Sequence, residues 1–125
     1  KKIALTVSVA PESLELVADQ DLLEQVLINL LNNAMQAVGE CADGKIELIA
    51  KLDERGAPII QIKDNGPGIP EQIRDKIFIP FFTTKSVGSG IGLSLSRQIM
   101  RLHRGSISFK SVPGKQTVFT LRFGT

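Results

Sequence analysis

The pattern of hydrophobic and polar positions predicts five strands and two helices. Alternation with period two, or a short apolar run bounded by turn residues, is typical of a strand. Such stretches cover residues 3–9, 46–52, 59–63, 106–111 and 117–123. Apolar residues recur every three or four positions from 23 to 38 and from 91 to 103, which predicts helices.

The first predicted helix has two possible beginnings. Asp19 or Asp21 could cap it, and Glu24 stands three residues after Asp21, the spacing of a capping box. The helix is predicted to end at Gly39.

The middle of the chain is irregular. Five of the eleven glycines and three of the six prolines lie between Gly66 and Gly92, interrupted only by a short helix candidate at 71–77. So long an irregular stretch in a small domain favours a lid or binding loop. Helices that alternate with strand pairs predict an α+β fold, with a mixed sheet covered by helices on one face.

Composition narrows the class of protein. A chain of 125 residues with 42% hydrophobic and 22% charged residues fits one globular domain, here residues 1–125. The net charge of +2 does not indicate binding to nucleic acid or to a membrane surface. Cys41 is the only cysteine, and no apolar run reaches the roughly 18 residues that span a bilayer, so a cytoplasmic protein is expected. Because the chain begins with Lys1 rather than Met, we expect a fragment of a longer protein.

Two asparagines in the first predicted helix are candidates for chemistry. Asn29 and Asn33 are one turn apart and share a face. A buried amide without a partner costs about 1–3 kcal/mol, so a bound polar ligand would explain the pair. A neutral amide oxygen is also a suitable ligand for Mg²⁺ beside phosphates. Alternatively, these amides cap a neighbouring strand or face water.

The segment from Asp64 to Pro70, Asp-Asn-Gly-Pro-Gly-Ile-Pro, directly follows an apolar strand. Its glycines would let a ligand approach the backbone, and the Asp64 carboxylate could accept from an exocyclic amine. Asp-Asn-Gly is also an ordinary turn sequence.

The segment from Gly88 to Leu93, Gly-Ser-Gly-Ile-Gly-Leu, opens the last predicted helix, where free N–H groups and the helix dipole could hold phosphate. Its spacing is not that of a dinucleotide fold, and Gly114-Lys115 lacks the Ser or Thr of a Walker A loop. The sequence His103-Arg104-Gly105 lacks the catalytic Asp of eukaryotic protein kinases.

In this order, the segments at 29–34, 64–70, 77–85 and 88–93 resemble the asparagine, first glycine, phenylalanine and second glycine boxes of the catalytic, ATP-binding domain of bacterial sensor histidine kinases. The resemblance is to the nitrogen-regulation type. It implies the Bergerat fold, a two-layer α/β sandwich with a mobile ATP lid at about residues 70–92.

The resemblance also implies roles for single residues. Asn33 would coordinate Mg²⁺, Asp64 would accept from the adenine amino group, and Thr117 would line the adenine pocket. Lys85 is the candidate counter-charge for phosphate. Gly66 and Gly68 would shape the base pocket, and Gly88, Gly90 and Gly92 would contact phosphates. Phe78, Phe81 and Phe82 would anchor the lid. The remaining nucleotide-binding candidates are Ile69, Phe82, Thr83, Ser89, Ile91 and Leu93.

Three positions differ from those of some related sequences. ATP-hydrolysing members of this fold carry a Glu as general base where this chain has Asn29, which cannot accept a proton at neutral pH. The site is therefore expected to hold ATP without hydrolysing it. Many histidine kinases follow the metal-binding Asn with Ala-x-Lys-Tyr, whereas Gln36-Ala37 stands here, which leaves the source of positive charge near the phosphates open.

The expected function is transfer of the γ-phosphoryl group of ATP to a histidine of a two-component sensor. The only histidine, His103, is expected to be a residue of the helix C-terminus rather than the acceptor. The acceptor would lie on an upstream helical dimerisation domain, which in turn serves a response regulator. The fragment is expected to be monomeric and the full protein a homodimer. Alternatives are an anti-sigma type serine kinase and a regulatory module that only binds nucleotide.

Overall fold

The structure, a computed structural model, describes residues 3–82 and 92–124. The predicted strands and helices are present, with ends that differ from the prediction by at most three residues. They are β1 (Ala4–Ala10), α1 (Gln20–Val38), β2 (Lys45–Leu52), β3 (Pro58–Asp64), α2 (Gly92–Leu102), β4 (Ser106–Val112) and β5 (Gln116–Arg122). The helix predicted at 71–77 is only a single 3₁₀ turn, Glu71–Ile73.

The strands form one mixed sheet in the order β1-β2-β3-β5-β4. β1 runs parallel to β2, and the other pairs are antiparallel. α1 packs on β2 and β3, and α2 packs on α1 and β4, so both helices cover the same face. The core between the two layers contains Val26, Leu30, Ile62, Ile99 and Leu121. The predicted two-layer α+β sandwich is confirmed.

The helices leave the edge strand uncovered. Leu5, Val7 and Val9 pair in register with Ile46, Leu48 and Ala50, and are 57%, 62% and 46% exposed. The helix-bearing face of the sheet therefore ends in a strip of exposed aliphatic side chains. Within the described residues, neither helix is both long and apolar enough to cross a membrane.

The start of α1 is fixed by Asp19, not Asp21. Asp19 has extended backbone, and its Oδ1 accepts from the Leu22 N–H at 3.0 Å. The predicted capping box is wrong, because Glu24 lies beyond the first turn that Asp19 caps. His103 connects this cap to the end of α2: its Nε2 accepts the Asp19 N–H at 2.9 Å, and its Nδ1 lies 2.8 Å from the Ile99 carbonyl oxygen. These contacts require a neutral imidazole with Nδ1 protonated.

The turn between β2 and β3 is organised by Asp53. Its Oδ1 accepts from the backbone N–H groups of Ala57 and Arg55, at 2.9 and 2.8 Å. These hydrogen bonds, the Ala57 bond first, hold the pKa of the Asp53 carboxyl below its ordinary value of 3.8. Because the charged form is stabilised in the folded state, this contribution to stability is complete above the ordinary pKa and is lost as the pH falls through the lowered one.

We therefore expect Asp53→Asn, which keeps an acceptor but removes the charge, to melt at a lower temperature than the parent chain at pH 7. The difference between the two melting temperatures should shrink steadily as the pH is lowered below 3.8, the ordinary pKa of the group. Calorimetry or circular dichroism across this pH range checks the expectation, and a difference independent of pH would contradict it.

Candidate functional site

A row of polar side chains crosses the sheet at one end of the core. Asp64 on β3 pairs with Thr117 on β5, and Thr117 pairs with Ser111 on β4, so the three side chains share one face. One step further along the strands, Ile62, Phe119 and Phe109 occupy that face and pack in the core. Asp64 and Thr117 are each only 4% exposed. A carboxylate and two hydroxyls therefore border the apolar core.

Gly66 lets the chain pass closely beside Asp64. The Asp64 Oδ1 accepts the Gly66 N–H at 2.9 Å. A Cβ at Gly66 would lie 2.8 Å from that oxygen and 3.0 Å from both the Cβ and the carbonyl oxygen of Ala37. A side chain here would displace the carboxylate or α1, so glycine is needed for the site's geometry.

Gly68 makes an equally close approach to the other end of the row. It has a positive φ of 83°, and a Cβ there would lie 2.8 Å from the Ser111 Oγ and 2.9 Å from the Val112 carbonyl oxygen. The following Ile69 N–H donates to the Ser111 Oγ at 2.7 Å. The loop after β3 is thus held against the β4–β5 hairpin.

Arg74 reinforces this attachment. Its guanidinium donates to the carbonyl oxygens of Ile69 and Ser111, both at 3.1 Å. The sequence does not predict Arg74 or Ser111 as a residue of the site. The available signal for Ser111 is its place on the inward positions of β4, two residues after Phe109.

On the helix side of the site, Asn29 and Asn33 are both half-buried on one face of α1, whereas Asn32 and Gln36 are exposed. The Asn29 Nδ2 donates to the Gly92 carbonyl oxygen at 3.3 Å and the Ser96 Oγ at 3.4 Å. Asn29 therefore joins α1 to the first turn of α2.

Several of the predicted nucleotide contacts lie outside the described residues. They are Thr83, Lys85, Gly88, Ser89, Gly90 and Ile91. Gly92 and Leu93 are described and begin α2: Leu93 packs against the core, and a Cβ at Gly92 would lie 3.5 Å from the Asn29 Cγ.

The phenylalanines differ in their packing. The Phe78 ring lies 6.2 Å from that of Phe109, and the Arg97 guanidinium lies 5.1 Å from the Phe78 ring centroid. Phe82 also packs on the core, but Phe81 is 76% exposed. The prediction that all three phenylalanines anchor the lid is therefore wrong for Phe81, whose backbone is left-handed with φ of 67° and whose ring is not packed on the core.

The Asn33 amide oxygen is the kind of donor that suits a weakly held cation. Among residues 3–82 and 92–124, no three His, Cys, Asp or Glu side chains cluster in a way that could hold a metal. The Asn33 amide oxygen is a neutral, hard donor, and Mg²⁺ commonly takes one or two protein oxygens and fills its remaining positions with phosphate and water. The residues present fit that cation bound together with a phosphate ligand.

Comparison with known proteins shows the protein family in which these features occur. Residues 18–125 match the family model described as histidine kinase-, DNA gyrase B- and HSP90-like ATPase. The chain is 47% identical over 104 residues to the signal transduction histidine-protein kinase AtoS of Escherichia coli, covering 83% of this chain and 17% of AtoS. It is 38% identical over 114 residues to the C4-dicarboxylate transport sensor protein DctB of Rhizobium meliloti, covering 91% of this chain and 18% of DctB. The chain thus spans less than a fifth of either relative.

Solved structures show the same fold. The catalytic domain of histidine kinase ThkA superposes with a TM-score of 0.80 at 36% identity, covering 97% of this chain and 79% of that one. The mycobacterial sensor histidine kinase MprB also has a TM-score of 0.80, at 27% identity, with 97% of this chain and 84% of that chain covered.

Proposed function

This chain belongs to the family of histidine kinase-, DNA gyrase B- and HSP90-like ATPases, and we propose that it is the kinase unit of a two-component sensor. It would bind Mg²⁺ and ATP, and the γ-phosphoryl group would pass to a histidine on a separate helical domain of the same protein. The observation that carries the proposal is the buried Asp64 carboxylate beside Thr117 at the end of the core, in a chain so similar to histidine kinases.

The purine would lie against this polar row. A buried carboxylate accepts hydrogen bonds but cannot donate them when ionised, so Asp64 selects a base with an amino group. Gly66 and Gly68 let the loop after β3 lie close against this row, because a side chain at either position would collide with Asp64 or Ser111.

The phosphates would extend from this row toward the start of α2. Asn33 would provide an oxygen for Mg²⁺, which when bound neutralises phosphate charge. Gly92 and Leu93 begin α2, and a helix N-terminus favours anions. Gly88, Gly90 and Lys85 are our further candidates for contacts with the phosphates.

The reaction would depend on positioning rather than on a protein base. Asn29 occupies the place of a general base, but an amide does not take up a proton at neutral pH. Its amide nitrogen also donates to Gly92 and Ser96, so it stabilises the junction of the two helices. Water is therefore not activated, and the γ-phosphoryl group is retained for a nucleophile from outside this domain.

That nucleophile would not be His103. Both of its ring nitrogens are engaged, with Asp19 and Ile99, at the junction of the two helices. We place the phosphoacceptor histidine on a helical dimerisation domain of the same protein, which would also pass the phosphoryl group to a response regulator.

The experiment is to incubate the full-length parent protein with γ-³²P-ATP and treat the product with acid or alkali. We expect label that is lost in acid and survives alkali, as phosphohistidine does. Label that survives acid would indicate a serine kinase. No label, together with tight binding of nucleotide, would indicate a regulatory module and overturn the proposed transfer.

A further inference from the structure

Ser111 makes three polar contacts through a single oxygen. Its Oγ accepts the Ile69 N–H at 2.7 Å, and it lies 3.3 Å from the Gln116 carbonyl oxygen and 3.2 Å from the Thr117 Oγ1. A serine hydroxyl has one hydrogen to donate and two lone pairs that accept. Each contact must therefore use one of these three.

The chemistry of the partners decides which contact receives the hydrogen. The Ile69 N–H can only donate, and the Gln116 carbonyl oxygen can only accept. If the Ser111 hydrogen goes to Gln116, the hydrogen of the third contact must come from the Thr117 hydroxyl. All three contacts are then hydrogen bonds. If Ser111 instead donated to Thr117, its contact with the Gln116 oxygen would have no hydrogen.

We propose that Ser111 determines base specificity by fixing the hydroxyl of Thr117 as an acceptor toward the nucleotide, an inference that rests on the proposed function. With its hydrogen directed at Ser111, Thr117 presents only lone pairs to the site. When ionised, the Asp64 carboxylate on the neighbouring strand also presents only lone pairs. Two adjacent acceptors match the two hydrogens of an amino group and repel a carbonyl oxygen. Ser111 acts as a positioning residue, because it reaches the base only through Thr117.

Arg74 and Gly68 keep this arrangement in place. The Arg74 guanidinium donates to the carbonyl oxygens of Ser111 and Ile69, which fixes the two backbones that meet at the Ser111 hydroxyl. Gly68 brings its loop so close that a Cβ would touch the Ser111 Oγ. The Ser111 hydroxyl therefore has little freedom to exchange partners.

The test compares the affinities for ADP and inosine diphosphate, which carries an oxo group where ADP carries the amino group. We expect the parent chain to prefer ADP. In Ser111→Ala the Thr117 hydrogen becomes free to turn toward the nucleotide, so the preference should fall by about five- to tenfold, the worth of roughly one hydrogen bond. Isothermal titration calorimetry measures both affinities, and circular dichroism verifies that each variant is folded.

Three further variants distinguish a positioning role of Ser111 from a nonspecific disturbance of the site. Ser111→Thr keeps the hydroxyl and should retain the preference. Ser108→Ala removes a hydroxyl from the exposed face of the same strand and should change nothing. Thr117→Val should lower the preference as Ser111→Ala does, and the double variant should lower it no further, because both act through one hydroxyl.

The outcomes distinguish the inference from the proposed function. Equal losses of affinity for both nucleotides in Ser111→Ala, or an unchanged preference, would overturn the role of Ser111 and leave nucleotide binding intact. A parent chain that binds neither nucleotide would overturn the proposed function and this inference together.

Discussion

Replacing Asp64 by alanine should weaken the binding of ATP and ADP by about 10- to 200-fold, the equivalent of roughly 1.5–3 kcal/mol for a hydrogen bond to a charged group. Asp64 is 4% exposed, and its Oδ1 is already held by the Gly66 N–H. A fixed carboxylate gives up little freedom when it accepts a hydrogen bond from the base. Its removal would also leave the amino group of the nucleotide facing an apolar gap.

Calorimetry on the parent chain and on Asp64→Ala measures this loss. The matched control is Glu47→Ala, which removes a carboxylate from the opposite, exposed face of β2 and should leave the affinity unchanged. Asp64→Asn tests the charge at constant size and should also bind weakly, since its amide can turn a donor toward the amino group. An Asp64→Ala protein that is folded and binds ATP like the parent would refute the adenine role.

The sequence was sufficient for the five strands, the two long helices and two of the three residues in the polar row. Alternation along β3 and β5 fixes which residues point inward, and the motifs single out Asp64 and Thr117. Ser111 is different: alternation along β4 separates it from the two outward serines, but nothing local shows that it meets a loop 42 residues earlier. That contact depends on the register of β4 against β5 and on the close approach of Gly68, both of which are properties of the folded chain.

The same reason explains why the sequence left two candidate caps open at the start of α1. Asp19 and Asp21 are equally good caps by residue type, and the spacing of Glu24 favours Asp21. In the fold, the Asp19 N–H meets the His103 ring, 84 residues away in sequence. This long-range hydrogen bond is made by the residue that caps the helix. The two caps are locally equivalent, and the observed one is the one that has a tertiary contact.

Replacing Asn33 by alanine should reduce autophosphorylation of the full-length parent by about 10²- to 10³-fold, the usual loss when one preorganised group that stabilises transition-state charge is removed. Asn33 is half-buried on the same face of α1 as Asn29, one turn further along the helix. Its amide oxygen is our candidate ligand for Mg²⁺. Because phosphates and water supply most of the ligands of this cation, nucleotide affinity should fall much less than the rate of transfer.

The control is Asn32→Ala, the neighbouring asparagine, whose side chain is exposed and which should label normally. Chelation provides a second test. Removing Mg²⁺ with EDTA should reduce labelling of the parent strongly. It should reduce the residual labelling of Asn33→Ala by a smaller factor, since both changes disturb the same interaction. The rate of labelling at saturating ATP is the quantity to compare, with circular dichroism as the check on folding. Normal labelling by folded Asn33→Ala would remove the metal assignment, because the reaction would then not need the Asn33 amide oxygen.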